Sequence, residues 1–162
     1  MAIARALILR PKIIIADEPT SMLDVAVRTS IMRLMLDLQQ RNGFSYLYIT
    51  HDMGVARYMA SEVAVMYLGK VVEMGHTDTV IGRPTHPYTQ ALLSAVLSAS
   101  ERTGVEFEPR IKGSVSKPVN PPPECRFLER CLYASDKCRS EAHPPLSEAD
   151  GRRVACYHPQ SG

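Results

Sequence analysis

No stretch of this 162-residue sequence is apolar for anything near the ~20 residues a membrane-spanning helix needs. A surplus of one charge is missing as well: 19 Lys and Arg stand against 17 Asp and Glu, a net of +2. That balance argues against nucleic acid as the main partner. No basic–aromatic alternation of the kind that stacks single strands accompanies the basic residues. The first ten residues, MAIARALILR, have neither the basic leader nor the small-residue cleavage site of a secretory signal. The chain is therefore expected to be soluble, or peripheral to a membrane. No internal repeat stands out. Proline and cysteine are scarce early on: ten of the 12 prolines and all four cysteines lie after residue 83.

This asymmetry divides the chain in two. Residues 1–83 are rich in Ile, Val, Leu, Met and Ala and have globular patterning; residues 84–162 are punctuated by PPP at 121–123 and PP at 144–145. The boundary is placed near Gly82-Arg83-Pro84. Early in the first region, Ile3, Ala6 and Leu7 have helical spacing and Pro11 ends the helix. KIIIA, 12–16, is apolar throughout, which suits a strand buried on both faces. Asp24 is placed to cap a helix ending near Asn42, with Ile31, Leu34, Met35 and Leu38 inward and Gly43 as its stop. FSYLYIT, 44–50, is a second buried strand, and a helix over about 53–60 follows. EVAVMYL and KVVEM flank Gly69 as a strand pair. Helix and strand alternating at this rhythm indicate an α/β layered domain.

Ligands of such sheets gather at the carboxyl ends of the strands. Asp17, Glu18 and His51 all fall there. In IIIADEPT, 13–20, an apolar run ends in two adjacent carboxylates and a proline. A magnesium ion on nucleotide phosphates wants a hard oxygen ligand, which Asp17 supplies. Glu18 is then positioned to polarise an attacking water, and His51 to donate to a terminal phosphate. In isolation a DE pair is more simply a turn at a strand end, and a histidine a helix cap. The strand-His-Asp segment about thirty residues later favours the nucleotide site.

With these motifs in place, the sequence resembles the ATP-binding subunits of ABC transporters, which are P-loop NTPases. IIIADEPT resembles the Walker B strand, which implies a magnesium role for Asp17 and a catalytic one for Glu18. SMLD, 21–24, is similar to the D-loop, with Ser21 and Asp24 matching, and so implies a nucleotide-dimer interface. ITHDM, 49–53, is similar to the switch segment, with His51 as the switch. AIARAL resembles the helix after the signature motif, and MYLGKVVEMG the strand pair that closes the domain. HPYTQALLSAV, 86–96, and the proline-rich, cysteine-bearing stretch beyond it resemble the C-terminal extension of the oligopeptide and dipeptide importers, a subfamily that includes nickel importers.

The resemblance implies the C-terminal part of an ABC ATPase domain over 1–83 and a small irregular extension with four cysteines over 84–162. It implies ATP and Mg²⁺, a second ATPase subunit (identical or not), transmembrane permease subunits, and indirectly an extracytoplasmic peptide-binding protein. The expected place is the cytoplasmic face of the inner membrane. The glycine-rich loop G-x-x-x-x-G-K-[ST], the glutamine loop and the LSGGQ-type signature do not occur in these residues. They hold the phosphates, so the chain is expected to be a fragment without useful ATP affinity of its own. A half-sheet of this kind is expected to expose apolar surface and self-associate. The alternative is a small metal-binding or interaction module that hydrolyses nothing.

Cys125, Cys131, Cys138 and Cys156 have gaps of five, six and seventeen residues. The cytosolic look of the rest disfavours disulfides. Zinc fits four soft ligands and could recruit His143 or His158, but close C-x₂₋₄-C pairs are missing. An iron–sulfur cluster also takes four thiolates. Spacing leaves these open. The resemblance implies a [4Fe–4S] cluster on the four cysteines with zinc as the alternative, although Leu132 stands where the family often has proline. Its expected role is to pin an extension too short to build its own core. Arg126, Arg130, Lys137 and Arg139 are read as a charge offset for such a centre or as a solvated basic face.

Overall fold

The structure is a computed structural model that describes residues 2–100, 111–113 and 119–160. It forms two compact units, Met1–Ala60 and Ser61–Gly162. The strand pair after residue 61 therefore packs in the same unit as the cysteine-bearing segment.

In the first unit, α1 (Ala2–Leu7) precedes β1 (Ile13–Asp17), and α2 (Val25–Asn42) leads to β2 (Ser45–Ile49) and α3 (Met53–Met59). β1 and β2 pair in parallel, with Ile13 opposite Ser45 and Asp17 opposite Ile49. Asp24 caps α2: its carboxylate accepts from the Val27 amide at 3.0 Å. Gly43 ends the helix in the left-handed region, φ 69°, and its N–H reaches the Gln39 carbonyl at 2.8 Å. That conformation favours a residue without Cβ.

Two expectations for this unit need correction. The inward face of α2 is set by Met32 and Met35, both buried, while Leu34 is 48% exposed. Residues 31, 32, 34, 35, 36 and 38 are all apolar, so they cover more than one side of the helix and their spacing does not select the face. Nor are the strands buried on both faces. Ile14, Ala16, Tyr46 and Tyr48 are buried or half-buried, but Ile13 (63%), Ile15 (68%), Leu47 (54%) and Ile49 (47%) are exposed. The alternation is that of a sheet covered on one side.

The second unit is built on an antiparallel sheet of order β3-β4-β6-β5. β3 (Glu62–Tyr67) and β4 (Lys70–His76) form a hairpin; β5 (Ser147–Ala149) and β6 (Arg152–Val154) form another. Each turn has two residues at positive φ: Leu68 (43°) with Gly69 (76°), and Asp150 (51°) with Gly151 (73°). Such paired left-handed residues match the twist of the flanking strands. β6 joins the free edge of β4, with Gly75 opposite Arg152. The segment read as irregular thus contributes two strands to the sheet. Between the hairpins lie α4 (Thr77–Gly82), α5 (Pro87–Ser100), a 3₁₀ turn at Leu128–Arg130 and α6 (Asp136–Ser140).

Phe127, 1% exposed, anchors the core of this unit. Its ring centroid lies 5.2 Å from that of Tyr67 and 5.4 Å from that of Tyr88. Burying such a ring contributes roughly 1.5–3 kcal/mol. The cysteine-bearing segment therefore shares a hydrophobic core with the β3–β4 hairpin and does not rest on a metal alone.

Candidate functional site

In the first unit, the ends of β1 and β2 and the start of α3 surround a cleft lined by Glu18, Ser21, Arg28, Tyr48, His51 and Asp52, among others. Glu18 follows the last residue of β1. Its φ of 42° is in the left-handed region, and its N–H donates to the Ile49 carbonyl at 2.9 Å. A non-glycine residue held there costs of order 1–3 kcal/mol and must be fixed by its surroundings. Here Ser21 donates to the Glu18 carbonyl from both its amide (3.2 Å) and its hydroxyl (3.0 Å). The Glu18 carboxylate, Oε1, lies 2.6 Å from His51 Nδ1. That bond, and next the carboxylate's charge, raises the His51 pKa above its ordinary value.

Sequence reasoning missed how His51 is held. Asp52, not His51, caps α3: its Oδ1 accepts from the amides of Gly54 (2.9 Å) and Val55 (3.1 Å). Its other oxygen faces Arg28 Nη1 at 3.4 Å. Arg28 Nη2 donates to the Leu23 carbonyl at 3.3 Å. One guanidinium thus joins residues 21–24 to the segment carrying His51. An arginine four residues after the capping Asp24 projects one helical turn along the same side, which was the available signal. Thr20, buried, is within 3.1 Å of the Tyr48 hydroxyl, so Tyr48 serves the cleft floor as well as the core.

Glu18, Ser21 and His51 are therefore brought together. Asp17 ends β1, exposed, and is not among the residues lining the cleft. Asp24 has its carboxylate engaged on the Val27 amide.

In the second unit, Cys125, Cys131, Cys138 and Cys156 all line one cavity, with His86, Phe127 and His158 on its wall. Cys131 and Cys138 are buried, the other two half-buried, and none of the four is in a disulfide. The Cys125 amide donates to the Cys138 carbonyl at 3.2 Å, which joins two of the segments. Burial pushes the thiols of Cys125 and Cys131 up, and carries Cys156 up to about 12 against the opposing His158 amide. Among the described residues, no three or more His, Cys, Asp or Glu side chains are arranged around a single ion. His143 is not on the cavity wall: its Nδ1 accepts from the Arg126 amide at 3.3 Å. Of the interleaved cations, Arg130 is buried and Lys137 lies 4.9 Å from the Tyr157 ring centroid, so they are not one uniformly solvated face.

The HPYT segment is fixed by a carboxylate. Glu73, on β4 and fully buried, accepts from the Thr85 amide and hydroxyl, both at 2.9 Å, and from the His86 amide at 3.1 Å. Arg152 on β6 completes its shell at 3.3 Å and also donates to the Arg83 carbonyl. His86 Nδ1 accepts from the Tyr88 amide at 3.0 Å, at the start of α5. Burial holds the His86 pKa at about 4, against the pull of Glu73, so its ring is neutral and free to accept.

Residues 72–138 match the family described as oligopeptide/dipeptide transporter, C-terminal region. The chain is 46% identical over 158 residues to a di/tripeptide transport ATP-binding protein, DppF, of Pseudomonas aeruginosa, covering 98% of this chain and 48% of that protein. It is 47% identical to the dipeptide transport ATP-binding protein DppF of Haemophilus influenzae, covering 98% and 48%. The Escherichia coli protein of that name is also 47% identical, covering 97% and 46%. The chain spans about half the length of the curated relatives it matches. Along nearly all its residues, the chain is similar to about half the length of proteins named as dipeptide or di/tripeptide transport ATP-binding proteins, and residues 72–138 match the oligopeptide/dipeptide transporter C-terminal region.

Proposed function

We propose that the protein to which this chain belongs binds and hydrolyses ATP and thereby energises peptide import. The observation that carries the proposal is the 2.6 Å pair of Glu18 and His51 at adjacent strand ends, in a chain with these relatives. Glu18 is the general base that orients and polarises the attacking water. His51 donates to the terminal phosphate and reports its presence to the rest of the cleft. Asp17 holds the magnesium ion, through water or directly; bound there, the ion supplies positive charge to the phosphates. Ser21 and Asp24, within a surface turn, face a second ATPase subunit. The wider assembly comprises transmembrane permease subunits and, indirectly, an extracytoplasmic peptide-binding protein. The subunit sits peripherally at the cytoplasmic side of the membrane; among the described residues no helix is long and apolar enough to cross it.

The four cysteines that line one cavity are the ligands of a [4Fe–4S] cluster in this proposal. Four thiols lining one cavity are the type of donor set such a centre takes, with zinc as the alternative. When bound, the cluster cross-links the segments around residues 125–138 and 156.

Glu18→Gln in the full-length protein tests the catalytic assignment. ATP hydrolysis is expected to fall by at least 10²-fold while ATP binding persists, consistent with loss of a positioned base. Substantial hydrolysis in that variant removes Glu18 from the role. Iron, acid-labile sulfide and zinc analysis on protein purified without oxygen tests the cluster: one zinc and no sulfide replaces it with a plain zinc site.

A further inference from the structure

We propose that Arg130 is the docking point for an acidic side chain of a partner protein, beside an apolar rim formed by Leu132 and Tyr133. The proposal concerns a buried cation and needs no metal at the four cysteines. Arg130 is 9% exposed, yet its guanidinium makes no hydrogen bond and no ion pair among the described residues. Its main chain is fully engaged: the amide donates to the Phe127 carbonyl at 3.1 Å, and the carbonyl accepts from the Lys112 amide at 3.0 Å. The residue is thus held in place with its charge unanswered. Arg152, the other buried arginine, shows what this unit does for a structural guanidinium, since its Nη1 has both Glu73 and the Arg83 carbonyl. In Arg130, Nε is closed off from solvent and the Nη nitrogens are not. An arginine stays charged in a protein, and a buried charge without a counter-charge is costly.

The residues around Arg130 leave its partner to come from outside. Glu129, the adjacent acid, is exposed and forms no ion pair with it. The four thiols are not its counter-charge either. Arg130 is not on the wall of their cavity, and the cation felt at the neighbouring Cys131 is Lys112. The charge of Arg130 is felt at Tyr88, where it opposes the upward push of burial and then of Tyr67 on the phenol. Both residues adjoin Phe127, whose ring centroid lies 5.4 Å from that of Tyr88. A planar fork of N–H donors beside a phenol O–H suits a carboxylate, which accepts from two N–H groups at once. The rim favours a carboxylate carried on a protein. Leu132 and Tyr133 are 46% and 40% exposed, two residues further along the same stretch. Arginine and tyrosine with apolar neighbours make up the centres of protein–protein contacts, and a free phosphate gains nothing from such a rim.

The probes are two blocked tripeptides, acetyl-Leu-Glu-Leu-amide and its uncharged counterpart acetyl-Leu-Gln-Leu-amide, with inorganic phosphate at matched ionic strength. Each is titrated into isotope-labelled full-length protein and followed by NMR at the Arg130 Nε–H and at the main-chain N–H of residue 130. The Glu peptide is expected to shift both signals saturably, and the Gln peptide and phosphate to bind about tenfold more weakly or less. Arg130→Lys is expected to weaken the Glu peptide by about tenfold, because an ammonium offers no fork. Arg130→Met is expected to keep or raise the thermal midpoint of the free protein, since it removes an unanswered buried charge. No saturable shift, or equal affinity for the two peptides, overturns the proposal. Phosphate binding as tightly as the Glu peptide overturns the protein partner in favour of a free anion. A lower thermal midpoint in Arg130→Met also overturns it, because the guanidinium would then already hold the free protein together.

Discussion

Glu18 Oε1 and His51 Nδ1, 33 residues apart in sequence, meet at 2.6 Å because parallel pairing of β1 and β2 brings their ends side by side. The bond to Glu18, and then its charge, raises the His51 pKa above 6.5. The folded protein therefore binds the proton more tightly than the unfolded chain. The stability this pair contributes is fully present below 6.5 and is lost as pH rises through the folded value. NMR titration of the His51 ring is expected to give a midpoint above 6.5, and Glu18→Gln to bring it back down. Equal midpoints in the two proteins would show that the pair does not persist in solution.

The sequence made this site legible because its members sit at strand ends, and apolar runs mark strand ends well. Glu18 and His51 needed only the two runs at 13–16 and 44–50 to be found. Arg28 had only its place one helical turn after Asp24 to mark it, because its partners, a carbonyl (Leu23) and a capping carboxylate (Asp52), add no distinct spacing signal. The open face of β1 and β2 was missed for another reason: a run of isoleucines states that both faces are apolar, not that both are covered. The β5–β6 hairpin had a signal that went unused, since Asp150-Gly151 is a favoured dipeptide for a two-residue turn. Glu73 gave none. A single acid within KVVEM looks like any exposed strand residue, and only the placement of Thr85, His86 and Arg152 around it makes it a buried hub.

Arg28 braces the turn at 21–24 against the His51 segment, so its loss is expected to act on turnover more than on substrate binding. Arg28→Gln in the full-length protein should lower kcat for ATP hydrolysis by about tenfold, or ~1.4 kcal/mol, with KM nearly unchanged. Arg28→Lys should not restore it, because a single ammonium does not span two acceptors as the planar fork does. Asp52→Asn in the same background should add little. A kcat equal to that of the wild type in Arg28→Gln would reduce the brace to a surface contact.

Glu73 carries a larger energetic stake. It is 0% and Arg152 3% exposed, so neither charge has water to fall back on. Glu73→Gln leaves the guanidinium buried without a counter-charge. It also turns one carboxylate oxygen into an NH₂ group among the amides of Thr85 and His86, which only donate. Breaking one side of a buried pair typically costs about 3–5 kcal/mol. The urea midpoint should fall accordingly at constant slope. Glu73→Gln combined with Arg152→Met should recover part of the loss. A double variant no more stable than Glu73→Gln alone would show that the hydrogen bonds to Thr85 and His86, rather than the ion pair, set the cost.

The exposed side of the β1–β2 sheet predicts how this 162-residue chain behaves by itself. Ile15 and Leu47 are neighbours in register, and with Ile13 and Ile49 they form an uncovered apolar stripe. Contiguous apolar surface of this kind drives association at the roughly 25 cal/mol per Å² that burial returns. Two strands also leave two unpaired edges. In sedimentation velocity the chain is expected to run as oligomers or aggregate, and Ile15→Lys with Leu47→Glu to shift it toward monomer. The paired opposite charges on adjacent strands hold the register while breaking the stripe, so a gain in monomer would locate the association on this face. A monodisperse monomer for the unaltered chain would mean that the stripe is covered in solution by some other part of the same molecule.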